Sequence, residues 1–229
     1  GAVCDFMATG ARPSLLEFLD GRTLEVLNAY GDFGLPADAG AMLLVQSNGD
    51  GSHDAAVREL ERFSAVAQEC GATDVMFSDD PADSELLVAA RRAVAPAMEK
   101  YASTHGGGEL VDDVCVPRGR LREFFTRLVE IEEAHPEITI STCGHAGDGN
   151  MHPGVFFDAA DPAAVEIAQH VFGEIMAAGL DLGGTITGEH GVGRLKKPWL
   201  ADYLGADVME LNHRIKNALD PQGILNPGT

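Results

Sequence analysis

Short apolar runs of strand length alternate along this chain with longer stretches whose apolar residues recur at helical spacing, and no repeat, heptad or low-complexity linker interrupts them. That alternation excludes an all-helical bundle and an all-strand sandwich, and it predicts an α+β fold. Ser14 to Asp20 and Ala41 to Gln46 read as strands, the second bounded by the turn-forming SNGDGS, with a short helix over TLEVLNAY between them. From Asp54 to Cys70, Val57, Leu60, Phe63 and Ala67 mark a helix that Gly71 is placed to end, and DVMFS at 74–78 reads as a further strand.

A helix is expected from about Asp83 to Tyr101, carrying Leu86, Leu87, Ala90 and Val94. The following THGGGEL reads as a mobile loop and VDDVCVP as a strand. Leu121, Phe124, Phe125, Leu128 and Val129 share one face of the next helix, followed by strands ITISTC and MHPGVFF. Asp161 then stands as N-cap and Pro162 as first helical residue. Val165, Ala168, Phe172, Ile175 and Ala178 form the stripe of that helix, with Gly179 positioned to close it. The order suits a ferredoxin-like antiparallel sheet with helices on one face, plus C-terminal helices.

Composition narrows the function. The 229 residues are 45% hydrophobic, enough for a real core. Sixteen basic against 36 acidic side chains leave a charge of -20, which repels phosphate backbones and anionic lipid, so no nucleic-acid partner is expected. No run of about 18 apolar residues occurs and the start lacks the pattern of a signal peptide, so a soluble, cytoplasmic chain without membrane insertion is expected. Cys4, Cys70, Cys115 and Cys143 are widely spaced, without a CxxC pair, and read as reduced, mostly buried thiols. A small anionic substrate would need local positive charge to enter so acidic a molecule.

Two polar, glycine-rich segments stand apart. In CGHAGDGNMHP, residues 143–153, Gly147 and Gly149 allow a tight turn with positive φ, which would set the flanking strands antiparallel and let His145 and His152 face one another. Paired neutral imidazoles are the commonest protein ligands of divalent transition metals. In GGTITGEHGVGRLKKPW, residues 183–199, Glu189 and His190 are adjacent between glycines. A carboxylate joined to two imidazoles gives a three-ligand site with open positions, as catalytic metals require, and leaves His190 available as acid or base. Spacing alone does not bring the two segments together. His53, His105, His135, His170 and His213 read as ordinary surface or hydrogen-bonded histidines.

These segments, with FFD after the first, the terminal LDPQGILNPG, LEFLD, the arginine of LLVAARRA and DVCVP, resemble in order the C-terminal portion of FAD-linked oxidases of the vanillyl-alcohol oxidase and p-cresol methylhydroxylase superfamily. The chain is similar to glycolate oxidase flavin subunits and D-lactate dehydrogenases over essentially its whole length. The resemblance implies that residues 1–229 form the cap or substrate-binding domain, with FAD held mainly by an N-terminal domain for which nothing here corresponds. It implies a metal, zinc or a similar divalent ion, on His145, His152 and Glu189, with His190 as base on the substrate hydroxyl. Arg91 corresponds best to the arginine that binds the substrate carboxylate, with Arg92 one residue of slip away. Asn150 and Asn226 resemble residues that approach the flavin.

The implied activity is oxidation of a 2-hydroxy acid, glycolate or D-lactate, with hydride passing to FAD and electrons leaving to a separate acceptor. Ala95, Val111 and Gly154 depart from hydroxyglutarate-oxidising relatives, which carry threonine, lysine and asparagine there to hold a second carboxylate; Pro153 agrees with the glycolate and lactate relatives. Two other readings use the same residues: a metal-dependent hydrolase working through bound hydroxide, and a non-catalytic binding or assembly module. Oligomeric state stays open, a homo-oligomer included.

Overall fold

The computed structural model describes residues 1–227. Its strands are β1 (Leu15–Asp20), β2 (Ala41–Gln46), β3 (Gly107–Val111), β4 (Val114–Cys115), β5 (Thr139–His145) and β6 (Asn150–Asp158). They form one sheet in the order β2-β1-β5-β6-β3, with β4 also on β6. Every pairing is antiparallel. The helices are α1 (Ala2–Ala8), α2 (Gly21–Tyr30), α3 (His53–Glu69), α4 (Pro81–Arg92), α5 (Val94–Thr104), α6 (Leu121–Ala134), α7 (Pro162–Asp181) and α8 (Lys197–Leu219). The expected α+β class with an antiparallel sheet therefore holds. Among the described residues no helix is long and apolar enough to cross a membrane.

The two faces of the sheet are filled differently, and this places the site. Met151, Val155 and Phe157 of β6 join Phe124 and Leu128 of α6 and Phe172, Ile175 and Met176 of α7 in the larger core. Strand alternation sends Phe156 to the other side, into a smaller cluster with Leu24 and Leu27 of α2 and Ala97 and Met98 of α5. Helical cover thus extends from the α6/α7 face onto part of the second face. Asn150, His152 and Gly154 share the parity of Phe156, so they lie on the thinly covered side.

Local chemistry explains the elements and their ends. Asp20 caps α2 by accepting from Thr23 N at 2.7 Å, and Asp161 caps α7 by accepting from Ala163 N at 2.9 Å. The helix expected over 83–101 is divided at Ala93 into α4 and α5, with Pro96, which lacks an amide donor, in the first turn of the second. DVMFS is not a strand: it has no pairing partner, and Met76 and Phe77 are 77% and 46% exposed. THGGGEL is not a loop throughout, because its last four residues enter β3. A Cβ on Gly108 would sit 2.5 Å from the Phe157 ring, so glycine there serves close approach to β6 rather than mobility. Gly179 does not end α7; it lies inside the helix, where a Cβ would sit 2.2 Å from Val114 Cγ1, and Gly183 at φ +80° follows the true end.

Candidate functional site

The first glycine-rich segment is the hairpin of β5 and β6. Cys143 pairs with His152 and His145 with Asn150, so both histidines project from the same face at diagonal positions. Their rings lie 5.3 Å apart at 86°. Gly149 has φ +78°, and a Cβ on it would meet Val116 O at 2.1 Å. Gly147, expected to share that conformation, does not have positive φ; its amide donates to Leu16 O at 3.2 Å.

The second segment has no strand or helix of its own around Glu189; it folds about a buried carboxylate. Asp113 Oδ2 accepts from Thr187 Oγ1 at 2.6 Å and from the amides of Gly188, Glu189 and His190 at 2.8, 3.0 and 2.8 Å. Burial raises the Asp113 pKa, but these donors overcome it and hold the carboxyl down at about 2. Lys196, also buried, donates to Asp112 Oδ1 at 2.8 Å and to Asp113 O at 2.7 Å. The Asp-Asp pair between β3 and β4 thus clamps the segment at two points.

The clamp delivers Glu189 to the hairpin. Glu189 Oε1 lies 2.9 Å from His145 Nε2 and 3.3 Å from His152 Nε2. A carboxylate stands behind each imidazole: Glu17 Oε1 is 2.6 Å from His145 Nδ1, and Asp113 Oδ1 is 3.6 Å from His152 Nδ1, a buried atom without a hydrogen-bond partner. Burial and the neighbouring His190 push the His152 pKa down to about 4, so its imidazole is neutral at neutral pH. Burial also pulls His145 down, but Glu17 and Glu189 more than offset it and raise the pKa; hydrogen bonding to His145 in turn lowers that of Glu189. Three donor atoms within 4.8 Å, with His145 oriented by its hydrogen bond to Glu17, fit a divalent transition metal. Asp113, His152 and His190 form a second such set, which shares His152 with the first.

The Glu189 carboxylate, His152 and His190 open onto a cavity of about 510 Å³ that Arg91 also lines. His190 stacks on His152 with centroids 4.6 Å apart at 8°, leaving it half-exposed to the cavity. Arg91 Nε donates to Glu17 Oε2 at 2.5 Å. Arg92, one residue round the same helix, is exposed and absent from this wall. Ala95, Val111 and Gly154 all line the cavity, with Glu99 and Glu109.

Asn150 is buried, its Oδ1 lacks a hydrogen-bond partner, and it packs on Gly188, where a Cβ would come within 2.2 Å. Asn226 sits far along the chain in an exposed terminal turn at φ +48° and is not on the cavity wall; Gly228 of LDPQGILNPG lies outside the described residues. The cysteines are less buried than expected, Cys70 being exposed, and burial pushes the Cys143 thiol up to about 11. Glu17, Asp112, Asp113 and Lys196 escaped the sequence reading. Their signal was an acidic or basic residue set among the apolar residues of LEFLD, VDDVCVP and LKKPW.

The family described as FAD linked oxidases, C-terminal domain, matches residues 1–229. The chain is 35% identical over 226 residues to glycolate oxidase subunit GlcD of Bacillus subtilis, covering 99% of this chain and 47% of that protein. It is 32% identical over 227 residues to glycolate oxidase subunit GlcD of Escherichia coli K12, covering 99% and 44%. With a D-lactate dehydrogenase of Anaerostipes hadrus it shares 35% over 196 residues, 83% of this chain and 39% of that protein. The chain thus spans about half or less of the length of these relatives.

Proposed function

Since the chain belongs to the family of C-terminal domains of FAD linked oxidases, we propose that it is the cap and substrate-binding part of a flavin-dependent 2-hydroxy acid dehydrogenase or oxidase of the glycolate or D-lactate type. The observation that carries this reading is the meeting of Glu189 with His145 and His152 on one side of a cavity shared with Arg91 and His190. FAD would be held mainly by a domain outside residues 1–229, in keeping with the half-length match to the relatives.

His145, His152 and Glu189 would hold the metal, zinc being suited to two imidazoles and one carboxylate. A metal held there would supply polarisation of the 2-hydroxyl and a lower hydroxyl pKa, and a bound FAD would supply the hydride acceptor for C2. The remaining work falls to side chains of this chain. Arg91, held at Nε by Glu17, turns its guanidinium to the substrate carboxylate and supplies the positive charge that the acidic surface lacks. His190, its ring plane set by the stack on His152, takes the hydroxyl proton at a ring nitrogen. Asn150, with a buried oxygen lacking a partner, and Asn226 are the residues of this chain assigned to the flavin side. A separate acceptor would then take up the electrons.

The cavity wall favours a monocarboxylic substrate. Ala95, Val111 and Gly154 offer no cation to a second carboxylate, and Glu99 and Glu109 repel one. The test is anaerobic flavin reduction in the full-length protein, with an artificial dye as acceptor for turnover. Glycolate or D-lactate is expected to bleach the flavin and D-2-hydroxyglutarate to do so poorly. Failure of every 2-hydroxy acid to reduce the flavin would overturn the assignment.

A further inference from the structure

A second histidine–carboxylate cluster lies in the α6/α7 layer, away from the cavity. His170 and Glu174 stand one turn apart on α7, a twenty-residue helix, and so share a face. His135 follows the last residue of α6, which packs on α7, and its carbonyl accepts from Ile138 N at 2.9 Å, fixing the backbone there. His135 Nε2 lies 2.9 Å from Glu174 Oε2, and His170 Nε2 lies 3.7 Å from Glu174 Oε1. All three donor atoms fall within 4.8 Å of one another, with the two rings 5.9 Å apart and edge-on.

We propose that His135, His170 and Glu174 form a second site for a divalent transition metal of the zinc class. Zinc bonds nitrogen and carboxylate oxygen at about 2.0–2.2 Å, which requires donors about 3–3.5 Å apart. The His135–Glu174 separation already meets this, and the His170–Glu174 gap closes by a small rotation of the more exposed His170 side chain, 67% open to solvent. Two imidazoles and a carboxylate are a borderline donor set that selects zinc or a similar ion over magnesium or calcium, which take all-oxygen shells. The exposed fourth position is left to water, as befits a binding or stapling site rather than a closed structural one. A charge of -20 over the molecule raises the local concentration of cations. The bound ion would tie the end of α6 to the middle of α7.

The test uses the untagged 229-residue chain, stripped with chelator and titrated with zinc by calorimetry at neutral pH. His145→Ala takes away one of the three proposed cavity ligands, and His170→Ala one of the three here. The His145→Ala protein is expected to take up one equivalent of zinc and to melt at a higher temperature with zinc than without. Adding His170→Ala is expected to weaken that uptake at least tenfold and abolish the thermal shift. His135→Ala should act likewise, while the zinc-free melting temperature of His170→Ala stays close to that of the unaltered chain. No zinc uptake by His145→Ala, or uptake that His170→Ala leaves unchanged, would overturn the proposal. Failure of the cavity site reads out separately, as absence of zinc uptake in His170→Ala alone.

Discussion

The two glycine-rich segments reach the same point by different means. Residues 143–153 are a hairpin whose register, Cys143 to His152 and His145 to Asn150, is set by pairing of the two interior strands β5 and β6. Residues around Glu189 have no ladder, and one carboxylate, Asp113, collects the hydroxyl of Thr187 and the amides of Gly188, Glu189 and His190. A position fixed by a sheet is as stable as the fold, whereas a position fixed by side-chain anchors, here Asp113 and the Lys196–Asp112 pair, can be lost while the fold survives. The half of the site that carries His145 and His152 is therefore structural, and the half that carries Glu189 and His190, the proposed third ligand and base, is detachable.

The comparison is broken hardest at His190, which belongs to the detachable half. In the full-length enzyme His190→Ala should cut turnover by about 10²- to 10⁴-fold, since that is the worth of a positioned base. Steady-state assays with a dye acceptor check it, and turnover within a factor of two of the unaltered enzyme would count against the role. Next comes Asp113→Asn. Its amide group cannot accept from all four donors, so Glu189 should swing free and zinc affinity of the cavity site fall about 10- to 100-fold. Calorimetry in the His170→Ala background reads this, and ring-proton spectra of His145 and His152 should remain native-like if the hairpin is independent. Glu17→Gln weakens the support of both His145 and Arg91, so it should lower zinc affinity and raise KM together, which distinguishes it from Asp113→Asn.

Two glycines sharpen the comparison at smaller cost. Gly149 and Gly191 both have φ +78°, but a Cβ on Gly149 would strike Val116 O, whereas one on Gly191 meets nothing within 4 Å. Gly149→Ala should cost more than about 2 kcal/mol and lower the melting temperature, because steric conflict adds to the backbone strain. Gly191→Ala should cost about 1 kcal/mol, the strain alone. Equal losses in thermal or urea melts would remove the distinction between a ladder-held and a carboxylate-held segment.

What the sequence made legible follows the same division. The strands and helices with strong period, such as Ala41–Gln46 and the Phe124/Leu128 stripe, could be read because burial of one face dictates the pattern. DVMFS misled because an apolar run carries strand propensity even where no partner strand waits, and THGGGEL misled because glycine needed for close approach to Phe157 looks like glycine needed for mobility. His145, His152, Glu189, His190 and Arg91 were legible as residue types in unusual company. The structure brings Arg91, His152, Glu189 and His190 onto one cavity wall, with His145 beside it, held between Glu17 and Glu189. Asp113 and Glu17 left only a faint signal, an acid among apolar residues, and which neighbours a buried acid organises is fixed only in three dimensions. Asn226, by contrast, is not on the cavity wall.

The central claim is that Glu189 joins two strand-borne imidazoles around a single ion. Crystals of the chain soaked in zinc and measured at the zinc absorption edge test it most directly. The account predicts an anomalous peak bonded to His145 Nε2, His152 Nε2 and a Glu189 oxygen at about 2.0–2.2 Å. A zinc-soaked structure without density between these three groups, or with Glu189 turned out of the cavity while the hairpin is intact, would contradict it.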